Sequence, residues 1–195
     1  MIEKAQRVFA PIVLMALVIL PAGAAWVDDL ETCRKTSGDE AIAACTRAIV
    51  SGTYRDRDLA LIYSIRCAEY NGKREYDRAI QDCTQAIRLN PSDDFAFNNR
   101  GIAFTVKGQY DQALRDFDEM IRLNPKHAQT FYNRGFIYVT RGQYDRGIQD
   151  YNQAIQLNPK YALAYKGRSV AKLKKGDKAG ADADLAKAKE LGYKD

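Results

Sequence analysis

The chain has 195 residues, of which 28% are charged and 46% are hydrophobic, and its formal net charge is +5. This charge is small and evenly spread, whereas a nucleic-acid-binding protein usually carries a basic stripe. The chain has one histidine and lacks both the Gly-x-Ser-x-Gly pattern and a phosphate-binding glycine loop. The composition therefore gives no indication of nucleic-acid binding, a metal site, a cofactor or an enzyme.

Residues 1–25 have the pattern of a bacterial signal peptide. Two basic residues, Lys4 and Arg7, precede an uncharged run over residues 8–27. Small residues are concentrated near the end of this run. This pattern predicts cleavage after Ala25 or the residue before it, with export to the periplasm or secretion. The alternative is an uncleaved inner-membrane anchor with the protein facing the periplasm, because the run is just long enough to span a bilayer.

Residues 26–58 are predicted to form a shortened N-terminal helical hairpin and a linker. The pattern of alanine, isoleucine, cysteine and threonine over residues 41–49 recurs at residues 79–87. The hairpin turn is expected around residues 37–39, and residues 51–58 would connect the hairpin to the next unit. This hairpin would cover the N-terminal end of a larger array.

From residue 60 onward the chain repeats itself every 34 residues. The tripeptide Leu-Asn-Pro recurs with its proline at Pro91, Pro125 and Pro159. Arginines and aspartates recur at the same spacing, as Arg66, Arg100, Arg134 and Arg168 and as Asp82, Asp116, Asp150 and Asp184. A fixed period of this length indicates a solenoid, in which each unit buries an apolar face against its neighbours.

Each unit is predicted to form two antiparallel helices. Apolar or small residues recur at i, i+4 and i+7 in both halves of a unit, for example at Phe97, Gly101 and Phe104 and at Ala113, Phe117 and Met120. Between the halves, residues 107–111 and 141–145 end one helix at a glycine and begin the next beside an aspartate. The predicted fold class is all-α, with about ten helices after the N-terminal segment.

These units resemble the tetratricopeptide repeat (TPR). The family has aromatic residues at positions 4, 11 and 24, a small residue at position 8, alanine at position 20 and proline at position 32. On this resemblance the units are TPR 1 to TPR 4, at residues 60–93, 94–127, 128–161 and 162–195. The last unit has Ser169, Lys172, Leu185 and Tyr193 where the pattern differs, which suits a C-terminal capping repeat. The resemblance implies a right-handed superhelical solenoid of antiparallel helix pairs.

The resemblance also implies a binding face. In the family, the first helix of each pair lines the concave surface, and positions 2, 5, 6, 9, 12 and 13 point into it. The corresponding peptide-binding residues here are Phe95, Asn98, Asn99, Ile102, Val106, Gln129, Tyr132, Asn133, Phe136, Val139, Lys166 and Val170.

Two asparagines suggest how a ligand backbone would be held. Asn99 and Asn133 occupy the sixth position, similar to the asparagines by which some family members hold an extended peptide. The alternative is that these amides cap or brace neighbouring helices. Only Asn99 matches the family's clamp for a C-terminal carboxylate, so recognition of an acidic chaperone tail is not predicted.

Four cysteines fit an exported protein. Cys33 and Cys45 are equidistant from one predicted turn, and Cys67 and Cys83 are equidistant from the next. Antiparallel helices would bring each pair to the same level, so we predict the disulfides Cys33–Cys45 and Cys67–Cys83, one of the three connectivities that four cysteines allow. The alternative is that all four are small core residues.

The periodic arginines and aspartates are predicted to pair across each hairpin as a ladder of structural ion pairs. They occupy positions 7 and 23 of every unit, which lie level with each other on the two antiparallel helices. Their regular recurrence distinguishes them from the acids of a single active site.

The leading functional hypothesis is a non-catalytic scaffold that binds a protein or extended peptide on the concave face, in the bacterial periplasm. One alternative is a membrane-tethered envelope assembly factor, which requires retention of the N-terminal segment. Another is an accessory or regulatory subunit of a separate enzyme. Repeat arrays also associate through their terminal units, so a homodimer is a further alternative.

Overall fold

The computed structural model describes residues 29–194. Within them lie α1 (Asp29–Lys35), α2 (Gly38–Val50), α3 (Asp56–Gly72), α4 (Tyr76–Leu89), α5 (Asp94–Val106), α6 (Tyr110–Leu123), α7 (Ala128–Thr140), α8 (Tyr144–Leu157), α9 (Ala162–Lys174) and α10 (Lys178–Glu190). The helices pack in chain order into the all-α solenoid expected from the sequence. The predicted signal peptide lies outside the described residues.

Successive helices form antiparallel hairpins, each of which packs on the next. The first helices α5, α7 and α9 begin at Asp94, Ala128 and Ala162, where the second, third and fourth repeats were expected to begin. The first helix of the first repeat, α3, begins earlier, at Asp56. The N-terminal hairpin of α1 and α2 adds a fifth pair of helices to the described part of the array.

A left-handed residue separates the two helices of each repeat. Gly108, Gly142 and Gly176 have φ values of 72°, 74° and 86°. Arg74 takes the equivalent place in the first repeat with φ 62°. Glycine adopts this conformation without a steric cost, whereas a residue with a Cβ loses about 1–2 kcal/mol there.

Small residues allow the two helices of a repeat to approach closely. A Cβ at Gly101 would lie 2.7 Å from the ring of Phe117. In the third repeat, Gly147 stands where the family pattern has alanine, and a Cβ there would overlap Cγ2 of Val139 and lie 3.1 Å from the carbonyl oxygen of Gly135. The branched side chain of Val139 therefore occupies the space that an alanine methyl would otherwise fill.

The two predicted cysteine pairings are present. Cys33 on α1 is bonded to Cys45 on α2, with their Cα atoms 4.9 Å apart. Cys67 on α3 is bonded to Cys83 on α4, with their Cα atoms 5.4 Å apart. All four side chains are fully buried in the core. Each bond therefore fastens the two helices of one hairpin at the N-terminal end of the array.

The predicted ladder of ion pairs is confirmed. In each repeat the arginine Nε and Nη2 atoms donate to the two oxygens of one aspartate, in the pairs Arg66–Asp82, Arg100–Asp116, Arg134–Asp150 and Arg168–Asp184. The arginine side chains are 14–20% exposed and those of the aspartates 6–8%. These pairs therefore lie largely out of water, where losing one partner is costly.

Each ladder arginine also reaches the preceding hairpin. Its Nη1 atom donates to Thr46, Thr84, Asp118 or Asn152, at 2.9, 3.1, 2.6 and 2.7 Å in chain order. The guanidinium is flanked by rings of its own helix, as Arg134 is by Phe131 and Tyr138 at 5.8 and 5.9 Å. One side chain thus connects both helices of its repeat to the repeat before it.

Burial and pairing act in opposite directions on the ladder aspartates. Burial raises the pKa of Asp116 and Asp150, and this effect exceeds the lowering by Arg100 and Arg134. At Asp184, hydrogen bonds from two cations, Arg168 and Lys172, together outweigh the effect of burial and lower the pKa.

A second series of ion pairs joins successive turns at the surface. It consists of Lys73–Asp39, Lys107–Asp77, Arg141–Asp111 and Lys175–Asp145. The aspartate side chains are 71–87% exposed. Exposed pairs contribute about 0–1 kcal/mol, so this series adds little to stability compared with the buried ladder.

Between residues 29 and 194, no helix is both long and apolar enough to cross a membrane. The same residues contain no group of three or more histidine, cysteine, aspartate or glutamate side chains placed to hold a metal ion.

Candidate functional site

The residues expected to bind a ligand lie on α5, α7 and α9, the first helices of three successive repeats. Helix α7 contacts both α5 and α9. Four of the expected apolar residues, Phe95, Val106, Phe136 and Val170, are exposed. We call the exposed surface that α5, α7 and α9 form together the groove. Exposed apolar side chains are typical of a surface that another molecule covers when they form a continuous patch.

The first of two cavities in the groove lies between α5 and α7. Its volume is about 250 Å³. It is lined by Ile102, Thr105 and Val106 from α5, by Tyr132, Asn133 and Phe136 from α7, and by Phe117 from α6. We call it cavity A. Its walls are mainly apolar, and the residues with polar side-chain groups are Thr105, Tyr132 and Asn133.

The second cavity lies between α7 and α9, on the other side of the same helix. Its volume is about 350 Å³. Lining residues include Phe136 and Val139 from α7, Leu163, Lys166 and Val170 from α9, and Tyr193 from the turn after α10. We call it cavity B. Tyr132 and Phe136 line both cavities, so the two form adjoining parts of one surface.

The structure places two of the expected amides beneath this surface. Asn98 is 8% exposed, and its Oδ1 accepts a hydrogen bond of 3.4 Å from Thr130 on the next first helix. Asn99 is also 8% exposed, and its Nδ2 donates to the carbonyl oxygen of Phe95 on its own helix, at 2.9 Å. Asn71 donates to the backbone oxygen of Asn99 at 2.8 Å. Asn98 thus contacts the next first helix, whereas the side-chain amide of Asn99 binds a carbonyl group of its own helix.

Asn133, which shares position 6 of its repeat with Asn99, is placed differently. Asn133 lines cavity A, and its Nδ2 atom is buried without a hydrogen-bond partner among the described residues. A buried donor without a partner costs about 1–3 kcal/mol. Gln129 is exposed at the start of α7 and lines neither cavity. The amide of Asn133 is therefore the one that a ligand would relieve by accepting a hydrogen bond.

A cluster of tyrosines forms the base of the groove near α9. The ring of Tyr132 lies 5.8 Å from that of Tyr151 and 5.2 Å from that of Tyr161, measured between centroids. Burial raises the pKa of all three, to about 12 for Tyr161, with a smaller contribution from neighbouring tyrosines. The phenols therefore stay protonated and neutral across the physiological range.

Lys166 is the one charged residue among those that line cavities A and B. Its Nζ atom lies 5.2 Å from the centroid of the Tyr193 ring, in a cation–π contact. The nearby Lys172 and Lys175 pair with Asp184 and Asp145. Lys166 forms no such pair within residues 29–194, so its charge is available to a ligand.

Gly167 is required because of the tyrosine below it. A Cβ at Gly167 would lie 2.5 Å from Cζ and 2.9 Å from the hydroxyl oxygen of Tyr151, whose side chain is fully buried. We expect Gly167→Ala to lower the free energy of unfolding by about 1–3 kcal/mol, because overpacking outweighs the gain in helix propensity. Urea unfolding followed by circular dichroism measures this change.

Gly72, near the end of α3, is the matched control. A Cβ at Gly72 would meet no atom within 4 Å. We expect Gly72→Ala to be neutral or to stabilise by up to about 1 kcal/mol, from helix propensity alone. Equal effects at the two glycines would show that Tyr151 does not determine the residue at position 167.

Several groove residues were missed in the sequence. Leu163 lies at position 2 of its repeat, the same position as Phe95, so the repeat pattern itself could have found it. Tyr193 stands where the pattern has proline, and Tyr151 and Phe117 belong to second helices, whereas the expected binding face lies on the first helices. Only the packed structure shows that these rings reach the groove from below or from the end of the array.

The fold and the repeat pattern define a helical-repeat protein, and comparison with known families agrees. Two family models, both described as Tetratricopeptide repeat, match residues 68–128 and 107–190. The chain therefore belongs to the tetratricopeptide repeat family. Arrays of this kind use their extended surfaces to bind other proteins, so the chain is a protein-interaction scaffold.

Solved structures share this architecture. A crystal structure of MamA superposes with a TM-score of 0.71 at 23% identity, over 78% of this chain and 87% of that chain. MamA from Desulfovibrio magneticus RS-1, from residue 41 to its end, superposes with a TM-score of 0.73 at 20% identity, over 84% and 90% of the two chains. At these identities the likeness shows a common fold alone. No curated protein sequence matches the chain.

Proposed function

We propose that this protein is a non-catalytic scaffold that binds an extended segment of a partner protein in the groove. One observation carries the proposal: two adjoining apolar cavities open onto the same face of three successive first helices. A closed cavity in the core would only lower stability. When a ligand side chain fills an open apolar cavity, apolar surface leaves water and the free energy of binding becomes more favourable.

The polar groups of the groove suit a peptide backbone. Asn133 provides a buried donor without a partner beside cavity A. Thr105 lines the same cavity, and its Oγ1 donates to the carbonyl oxygen of Gly101 at 2.7 Å. An asparagine amide both donates to a carbonyl group and accepts from an N–H group, so a small rotation of Asn133 would allow contact with any sequence.

We further propose that the protein works in the bacterial periplasm. Two buried disulfides support an oxidising compartment, because cytosolic proteins rarely keep such bonds. The basic, apolar and small-residue order of residues 1–25 supports export by a cleaved signal peptide.

One experiment tests both the groove and the compartment. The full chain with a C-terminal tag is expressed in a Gram-negative host, the cells are fractionated, and proteins bound to the tagged chain are identified by mass spectrometry. Phe136→Ala removes the side chain that lines both cavities, and Leu157→Ala on α8 is the control, since these residues are 46% and 37% exposed.

We expect the protein in the periplasmic fraction, with a partner bound by wild type and Leu157→Ala but lost from Phe136→Ala. Circular dichroism of each variant checks that the fold is intact. A partner retained by Phe136→Ala would place the interaction outside the groove. Recovery in the inner-membrane fraction would instead support the membrane-tethered alternative.

A further inference from the structure

We propose that the ligand of the groove is an extended acidic segment with two bulky apolar residues three positions apart. This inference rests on the proposed function and specifies the chemistry of the partner. It differs from capture of a chain terminus, because the acidic group is a side chain next to the apolar residues.

The size of the cavities sets the kind of side chain. Cavities A and B have volumes of about 250 and 350 Å³. A cavity of about 150 Å³ lined by apolar residues holds a benzene ring. Each cavity therefore has room for one side chain of the size of leucine or phenylalanine.

The spacing of the cavities sets the spacing of those side chains. The cavities lie on either side of α7, so their centres are about one interhelical distance apart, roughly 8–10 Å. A peptide in the polyproline II conformation has three residues per turn and rises about 3.1 Å per residue. Residues i and i+3 therefore project from the same side of the peptide, about 9 Å apart, and can enter the two cavities together.

The charge of the groove sets the charge of the ligand. Lys166 at cavity B is the one charged lining residue, and it has no ion-pair partner within the described chain. Lys174, at the end of α9, takes the repeat position that Val106 holds in the second repeat. Both charges are positive and both lie at the α9 end of the groove. An aspartate or glutamate beside the residue in cavity B would pair with Lys166 in partly desolvated surroundings.

Labelled synthetic peptides of ten residues test the inference by fluorescence anisotropy. Each has two phenylalanines three positions apart in a background of serine and glycine. One peptide has aspartates at both ends, and a second has lysines at both ends. Because both ends carry the same charge, the comparison does not depend on the direction in which the peptide binds. A third peptide has flanking aspartates and adjacent phenylalanines.

We expect the aspartate peptide to bind the wild-type protein about tenfold or more tightly than the lysine peptide, which corresponds to about 1.4 kcal/mol. Lys166→Glu should reverse this preference, and Phe136→Ala should abolish binding of both. The peptide with adjacent phenylalanines should bind about tenfold more weakly, because only one ring can enter a cavity. Leu157→Ala should leave every affinity unchanged.

The outcomes separate this inference from the proposed function. Equal affinities for the aspartate and lysine peptides, with loss in Phe136→Ala, would overturn the charge preference while supporting peptide binding in the groove. No binding of any peptide would overturn the ligand class, and the fractionation experiment would still decide the proposed function. A wild-type dimer that dissociates in Phe136→Ala, seen by sedimentation, would show a second copy in the groove and would also overturn the inference.

Discussion

Replacing Arg134 with methionine is expected to lower the free energy of unfolding by about 3 kcal/mol. Arg134 donates to both oxygens of Asp150 at 2.8 and 2.7 Å, and the Asp150 side chain is 7% exposed. Methionine fills much of the same space but leaves this carboxylate buried without its partner. The contact from Arg134 to Asp118, on the preceding hairpin, is lost as well. Urea unfolding followed by circular dichroism measures the change.

Arg141→Met is the matched control, because Arg141 also pairs with an aspartate of the preceding hairpin. Its partner, Asp111, has a side chain that is 71% exposed. We expect a loss of less than about 1 kcal/mol there. Equal losses in the two variants would contradict the view that burial makes the ladder important for stability.

The pH dependence of Arg134→Met provides a second test of the same idea. Burial already raises the pKa of Asp150 in the wild-type protein, against the lowering by Arg134. Without the guanidinium this pKa rises further, so the folded variant takes up a proton more readily than wild type does. The stability deficit of the variant should therefore narrow as the pH falls through this raised pKa, because protonation removes the unpaired charge.

The repeat period allowed the ladder to be predicted from the sequence, but not its strength. Arg134 and Asp150 recur in every unit at fixed positions, and antiparallel helices place those positions side by side. The hydrogen bond from Arg134 to Asp118 could not be predicted, because the residue at that place varies between threonine, aspartate and asparagine. Variable residues carry no period, so only the packed array shows that each arginine bridges two repeats.

The groove was predictable as a face and not as a set of contacts. Phe136 and Val106 stand at family positions for the binding face, and their side chains are exposed. These positions could not show that the side chains of Asn98 and Asn99 bind groups within the array. Asn98 accepts a hydrogen bond from Thr130 of the next repeat, and Asn99 donates to the carbonyl oxygen of Phe95 on its own helix. Side-chain direction depends on these neighbours, whereas repeat position fixes only the backbone.

Removing the disulfide between Cys67 and Cys83 is expected to lower the free energy of unfolding by about 3 kcal/mol. The two cysteines are 16 residues apart in sequence and both are fully buried. In the chain-entropy account, the bond restricts the unfolded chain, and a loop of this size contributes about that much. The double variant Cys67→Ala with Cys83→Ala is compared with the wild-type protein by urea unfolding.

Reduction separates the bond from the side chains when Cys33→Ala and Cys45→Ala have already removed the other disulfide. The reduced form of that variant keeps Cys67 and Cys83 in the core and loses only their covalent link. Reduction should therefore lower its stability by nearly as much as Cys67→Ala with Cys83→Ala lowers that of the wild-type protein. The remaining difference reports the packing of the two buried side chains. If the reduced protein instead kept the stability of the oxidised one, Cys67 and Cys83 would act only as small core residues. This bond would then support a periplasmic location less strongly, because a fold that is equally stable when the bond is reduced does not require an oxidising compartment.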